Sequence, residues 1–106
     1  MIYLSNAFSL GMLPVPVSPI KILVTFVPPQ MVPVEAVSVI GHADTARIVG
    51  KILGREIVEN RKRVILVPGQ DILYVAQYIG PRLEIGATEL PSGAQLLFYR
   101  LDINPA

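Results

Sequence analysis

The stretch from Ala43 to Gly54 constrains the fold most, because it reads as an amphipathic helix set among segments that read as strands. Ala46, Val49 and Leu53, with Ile48 and Ile52 alongside, form a wide apolar stripe, while Arg47 and Lys51 point outward. Asp44 in the first turn complements the helix dipole, and Gly54 is a suitable C-terminal stop. Such a stripe needs an apolar surface to cover, and the rest of the chain offers mainly extended elements.

Ile2-Tyr3-Leu4 opens as a short central strand, and Ser5 to Ser9 leaves it with turn-capable side chains. Leu10 to Pro19 is a proline-punctuated connection. Ile20 to Phe26 is β-branched and apolar, a strand stopped by Pro28-Pro29. Pro33 suits the first turn of a short helix running to about Val39, which Gly41 ends. Glu56 to Val67 is extended, with Val64-Ile65-Leu66-Val67 as its buried part. Pro68-Gly69-Gln70-Asp71 is a hairpin-type turn into a partner strand, Ile72 to Tyr78. Gly80 to Gly93 reads as a long loop able to close over something, and Ala94 to Ile103 as the last strand. In that strand Leu96, Phe98 and Arg100 alternate against Leu97, Tyr99 and Leu101. The order predicts one α/β domain over residues 1–106, a mixed sheet of about five strands with a small group of helices packed on it.

Composition narrows the function. The 106 residues are 52% apolar and only 16% charged, so part of the surface is expected to be buried against a partner, by default a second copy. A formal charge of +1 excludes a strongly electrostatic nucleic-acid binder, and no DNA partner is expected. The absence of cysteine excludes disulfides and cysteine nucleophiles. One histidine among scattered carboxylates argues against a zinc site, and no metal or cofactor is expected. Pro14, Pro16, Pro19 and Lys21 break up the apolar N-terminal region, so neither a signal peptide nor a membrane span is expected. The expected location is the cytoplasm, that of the host cell if the source is viral.

The richest chemistry lies in Ile40-Gly41-His42-Ala43-Asp44-Thr45-Ala46. It places the only histidine at the start of a helix, where free N–H groups and the dipole favour an anion. Histidine exchanges protons near neutrality, so a proton donor stands beside a phosphate-sized site. In Asn60-Arg61-Lys62-Arg63, an extended backbone puts Arg61 and Arg63 on one side, able to offer guanidinium to phosphate. Gln77 sits in a strand expected to be buried, where a glutamine needs partners and an adenine edge would serve. Asn6 to Ser9 places small polar groups at a strand end, where ligands commonly sit. Arg82-Leu83-Glu84 would put a cation on a mobile lid.

Together, Tyr3-Leu4-Ser5-Asn6-Ala7-Phe8-Ser9, Ile40-Gly41-His42 with Thr45, Asn60-Arg61, and Gln77 with Arg82-Leu83 and Gly86 resemble the viral type III anti-CRISPR ring nucleases, which have host-encoded relatives. The resemblance runs in order from the first strand to about Gly86. It implies a homodimer that binds the second messenger cyclic tetra-adenylate across its interface. Family members cut the ring without metal to linear di-adenylate with a 2′,3′-cyclic phosphate end, and so inactivate type III CRISPR defence. The catalytic histidine falls on His42 and the phosphate-binding arginines on Arg61 and Arg82. Ser9 and Gln77 match positions that hold the ring, Asn6, Ala7 and Phe8 line its approach, and Gly41, Thr45 and Glu84 complete the implied binding set. The chain departs from the pattern at Ile85, where many members carry glutamate; Glu84 stands one place earlier.

The chemistry asks little of the protein, because a ribose 2′-hydroxyl attacks the adjacent phosphorus and the substrate brings its own nucleophile. What remains is in-line orientation, positive charge around phosphorus and a proton for the leaving 5′-oxygen. Two other readings fit the same residues: a non-catalytic sponge or sensor of cyclic oligoadenylate, and a structural dimer without a nucleotide ligand.

Overall fold

The computed structural model describes residues 1–14 and 18–106. Residues 15–17 of the Leu10 to Pro19 connection, Pro16 among them, lie outside the described residues. Five strands, β1 (Ile2–Ser5), β2 (Ile20–Val27), β3 (Val37–Ser38), β4 (Ile72–Ile79) and β5 (Gln95–Pro105), form one mixed sheet in the order β2-β5-β4-β1-β3. β1 runs parallel to both neighbours, β3 and β4, whereas β4, β5 and β2 are antiparallel in turn. The α-helix α1 (Ala43–Leu53) packs on one face.

The apolar pattern explains the layering. Residues paired across strands point to the same face, so Leu4, Tyr74 and Arg100 share one side and Val75, Tyr99 and Phe26 the other. On the helix side Ala46 and Val49 of α1 meet Leu4, Tyr74, Ala76 and Phe98. On the opposite side Leu13, Val64 and Leu66 cover Leu73, Val75, Leu101 and Ile103. The central strands are therefore covered twice, which is the condition that parallel pairing usually requires.

The structure bears out the mixed sheet, the helix at Ala43–Leu53 and the alternation of the last strand, and corrects three expectations. No helix runs from Pro33 to Val39. That region instead holds a single 3₁₀ turn at Pro29–Met31 and then β3, which pairs with β1. Val34, Val37 and Val39 are β-branched and lose side-chain freedom in a helix, and β1 instead pairs with Val37 and Ser38 and accepts the Val39 N–H at Leu4 O. The helices thus reduce, among the described residues, to α1 and two 3₁₀ turns, the second at Leu10–Met12.

The second correction is that Glu56 to Val67 is extended but is no strand of the sheet. It passes β3, then crosses the sheet face with Val64 and Leu66 buried and Ile65 and Val67 exposed. Leu66 N–H donates to Met12 O at 2.7 Å. Consequently Pro68 to Asp71 is a turn but not a hairpin, because β4 pairs with β5 and β1 rather than with the segment before it. The number of strands is as expected, yet β3 stands where the third expected strand would be. Among the described residues no helix is long and apolar enough to cross a membrane.

Candidate functional site

β1, β3 and β4 are parallel, so their C-terminal ends lie on one edge of the sheet. In open α/β sheets ligands gather along that edge. The chain leaves it at Asn6 after β1, at Ile40-Gly41-His42 after β3, and at Gly80 to Arg82 after β4. Every residue singled out from the sequence except Ser9 and Arg63 falls on this rim or on the segment packed beside it, in three groups.

The first group surrounds the start of α1. His42 is the residue before the helix, with extended backbone (φ −133°, ψ 120°). Its Nδ1 accepts the Thr45 N–H at 3.4 Å and lies 3.4 Å from Thr45 Oγ1. In the neutral ring the proton therefore belongs on Nε2, which has no hydrogen-bond partner among the described residues. Thr45 is buried, 8% exposed, so its hydroxyl serves the imidazole rather than a ligand.

Arg61 lies beside it, with Nε and Nη2 each donating to Gly41 O at 3.2 Å. A methyl group at Gly41 would meet Arg61 Cγ at 3.4 Å, an ordinary contact, so Gly41 is not sterically obligatory. Asn60 is the strut beneath. Its Nδ2 donates to Ser38 O at 2.9 Å and its N–H to Ile40 O at 2.8 Å, while Ser38 Oγ donates to Val58 O at 2.7 Å. This explains the Asn-Arg pair locally: one side chain ties two segments together, and the next reaches past His42's neighbour. Lys62 and Arg63 are exposed.

The second group lies on the sheet face away from α1. Asn6, Ala7 and Phe8 join Val24, Val75, Gln77, Tyr99 and Leu101 around an open concavity of about 360 Å³. Ser9 is outside it and precedes the 3₁₀ turn at Leu10–Met12. Gln77 corrects an expectation, since it is exposed on this face and not confined to a buried strand. Val24, Tyr99 and Leu101 were not singled out in the sequence. Their signal was strand alternation, which places them on Gln77's face only once register is known.

The third group is the loop after β4. Arg82 and Glu84 line a shallow site of about 460 Å³ with Pro81, Ala87, Thr88, Glu89 and Pro91. Neither Arg82 nor Glu84 makes a side-chain hydrogen bond or ion pair among the described residues. The loop is fastened, not free. Gly86 N–H donates to Asp44 Oδ2 at 3.1 Å, Arg47 Nη1 donates to Asp44 Oδ1 at 2.8 Å and to Ala87 O at 3.0 Å, and Lys51 pairs with Glu89. The Arg47 hydrogen bond, then the Gly86 N–H, hold the Asp44 carboxyl below its usual range, and Lys51 does the same for Glu89. Asp44 thus spends its hydrogen bonds on Arg47 and the loop, while the charge of His42 nearby adds a smaller lowering influence.

The structure thus brings the three groups onto one rim but not into one closed pocket. A larger concavity, about 620 Å³, lies elsewhere, between α1 and residues 55–59, and holds none of the site residues named from the sequence. No group of three His, Asp or Glu side chains able to hold a metal occurs among the described residues.

A family model described as STIV B116-like matches residues 2–89, which covers β1 through β4 and the first part of the loop after it. The chain belongs to the STIV B116-like family. Among solved structures it is similar to B116 of Sulfolobus turreted icosahedral virus, with 24% identity, a TM-score of 0.72, and 95% of this chain and 97% of that one covered. At that identity the likeness speaks for the fold. No curated protein matches the chain. The family match includes His42, Arg61, Asn6, Gln77, Arg82 and Glu84, whereas residues 90–106, with the whole of β5 and so Tyr99 and Leu101 of the second group, fall outside it.

Proposed function

We propose that this member of the family is a metal-independent ring nuclease. It binds cyclic tetra-adenylate as a homodimer, cleaves it to linear di-adenylate and thereby silences type III CRISPR effectors. The observation that carries the reading is the pairing at the start of α1: a histidine with Nδ1 engaged and Nε2 open, beside an arginine braced on Gly41 O.

In the proposed reaction a ribose 2′-oxygen bonds to the adjacent phosphorus as the bond from phosphorus to the 5′-oxygen breaks. His42 Nε2 gives its proton to the departing 5′-oxygen, and the 2′-hydroxyl proton passes to solvent. When the ring is charged, Nδ1–H needs an acceptor, and Thr45 Oγ1 at 3.4 Å supplies one. Thr45 thus serves both states, by its N–H in one and its hydroxyl in the other, while Nε2 keeps its direction. Arg61 and Arg82 stabilise charge on the phosphoryl oxygens, and guanidinium suits that task. Asn6, Gln77 and the apolar walls of the 360 Å³ concavity receive an adenine. Such a ring is too large for one protomer and suits a two-fold pair, each copy bringing one histidine to one of two opposite phosphates.

A non-catalytic sponge is the second reading, and one feature favours it. Ile85 is fully exposed where many ring nucleases carry glutamate, and both oxygens of Asp44 are already engaged, one by Arg47 and one by the Gly86 N–H. Incubation with labelled cyclic tetra-adenylate in EDTA, beside His42→Ala, separates the two. Cleavage is expected from the wild type, with a loss of about 10²–10⁴-fold in the variant and retained binding. A ring that stays intact but bound would make the protein a sponge, and an intact, unbound ring would overturn both readings.

A further inference from the structure

The ties between α1 and the loop after β4 have a regular geometry. Asp44, Arg47 and Lys51 lie at i, i+3 and i+7 of α1 and so share one helix face. Both oxygens of Asp44 are occupied, one by Arg47 and one by the Gly86 N–H, and Arg47 closes the circuit on Ala87 O. The turn beneath is formed by Ala87 N–H donating to Glu84 O at 3.1 Å, with Gly86 at φ +82°. That left-handed third position marks a turn of type II and suits glycine. On the other side of Arg82, the Tyr78 hydroxyl donates to Pro81 O.

Arg82 therefore sits between two fastened points, Pro81 against the sheet and Gly86 against the helix. Four residues of extended chain span at most about 14 Å, so fixing Gly86 on Asp44 keeps the Arg82 backbone within that reach of the Gly86 end of the latch. Asp44 in turn is two residues from His42, in the same helical turn.

We propose that Asp44 is a positioning residue, whose carboxylate holds the loop bearing Arg82 at a fixed place relative to His42. This rests on the ring-nuclease reading, in which both side chains address one phosphate. The latch does not touch substrate; it removes freedom from the cation. A loop released by one missing carboxylate lets Arg82 wander, and misplacement by about 1 Å can cost 10²-fold in rate.

The test is a double-mutant cycle under single turnover, with cyclic tetra-adenylate in EDTA. It compares wild type, Asp44→Ala, Asp44→Asn, Arg82→Ala and Asp44→Ala/Arg82→Ala. Exposed ion pairs add little to fold stability, so these variants are expected to fold. Asp44→Ala is expected to slow cleavage about 10- to 100-fold. Asp44→Asn keeps an acceptor for the Gly86 N–H and is expected to recover most of that loss. The double variant is expected to be no slower than Arg82→Ala alone. A wild-type rate in Asp44→Ala, or a double variant slowed by the product of the two single effects, would overturn the proposal. So would unchanged amide exchange at residues 84–89 in Asp44→Ala. Failure of the wild type to cleave would instead sink the ring-nuclease reading, and this inference with it.

Discussion

Two side chains at the start of α1 carry the residue-scale consequences. If Thr45 Oγ1 accepts from the charged imidazole, Thr45→Val removes that acceptor while keeping shape. Cleavage is expected to fall about tenfold at unchanged ring affinity, the worth of one hydrogen bond to a charged group, and Thr45→Ser should restore it. Single-turnover rates beside ring titrations check both. Asp44 supplies a pH signature. Its native carboxyl lies below the ordinary value of 3.8, so it favours the folded state above that pH. The contribution is lost as pH falls through the lower native value. The gap in unfolding midpoint between wild type and Asp44→Asn is thus expected to be constant at neutral pH and to close only below about pH 4. Glu89, lowered by Lys51, loosens the same loop in the same direction.

At the scale of elements, α1 was legible because its stripe repeats with the helical period over eleven residues. β3 was not, since two residues carry no period and Pro33 mimics a helix start. Glu56 to Val67 was legible as extended chain but not as a segment outside the sheet, because alternation records burial and not pairing. Among site residues, His42 and Arg61 stood out by type. The Asp44–Gly86 tie joins positions 42 apart, and nothing local announces it. The end of α1 offers a test of backbone fit. Alanine in a helix interior ordinarily gains about 0.5–1 kcal/mol over glycine. At Gly50, however, a Cβ would stand 2.7 Å from Arg55 O and 3.2 Å from Ile57 N, where the chain doubles back. Gly50→Ala is expected to destabilise by about 1–3 kcal/mol. Gly54→Ala meets nothing but must hold φ +73°, and is expected to cost about 1–2 kcal/mol. Urea midpoints with unchanged slope would check both.

For the whole molecule, the sheet face away from α1 is the candidate surface for a second copy. Val24, Phe26 and Ile79 are exposed there beside Tyr99, whose ring meets Phe26 edge-on at 5.6 Å. Phe26 alone is 65% exposed. This face also holds the concavity with Gln77, so pairing through it would bring two such concavities together. Phe26→Asp is expected to sediment as a monomer and to lose ring cleavage. A variant that remains dimeric would place the interface elsewhere.

Among the described residues the strand order leaves β2 at one margin of the sheet, eight residues long and hydrogen-bonded on a single side. The other margin is only the two residues of β3, fastened to Val58 and Asn60. A long, apolar, half-paired strand is a template for other chains unless something shields it. If the partner copy is that shield, resistance to heat becomes a property of the solution as much as of the sequence. By mass action the melting temperature should climb with wild-type concentration and stay level for Phe26→Asp. At low concentration the isolated chain would be the fragile species, and assembly would govern how long it survives.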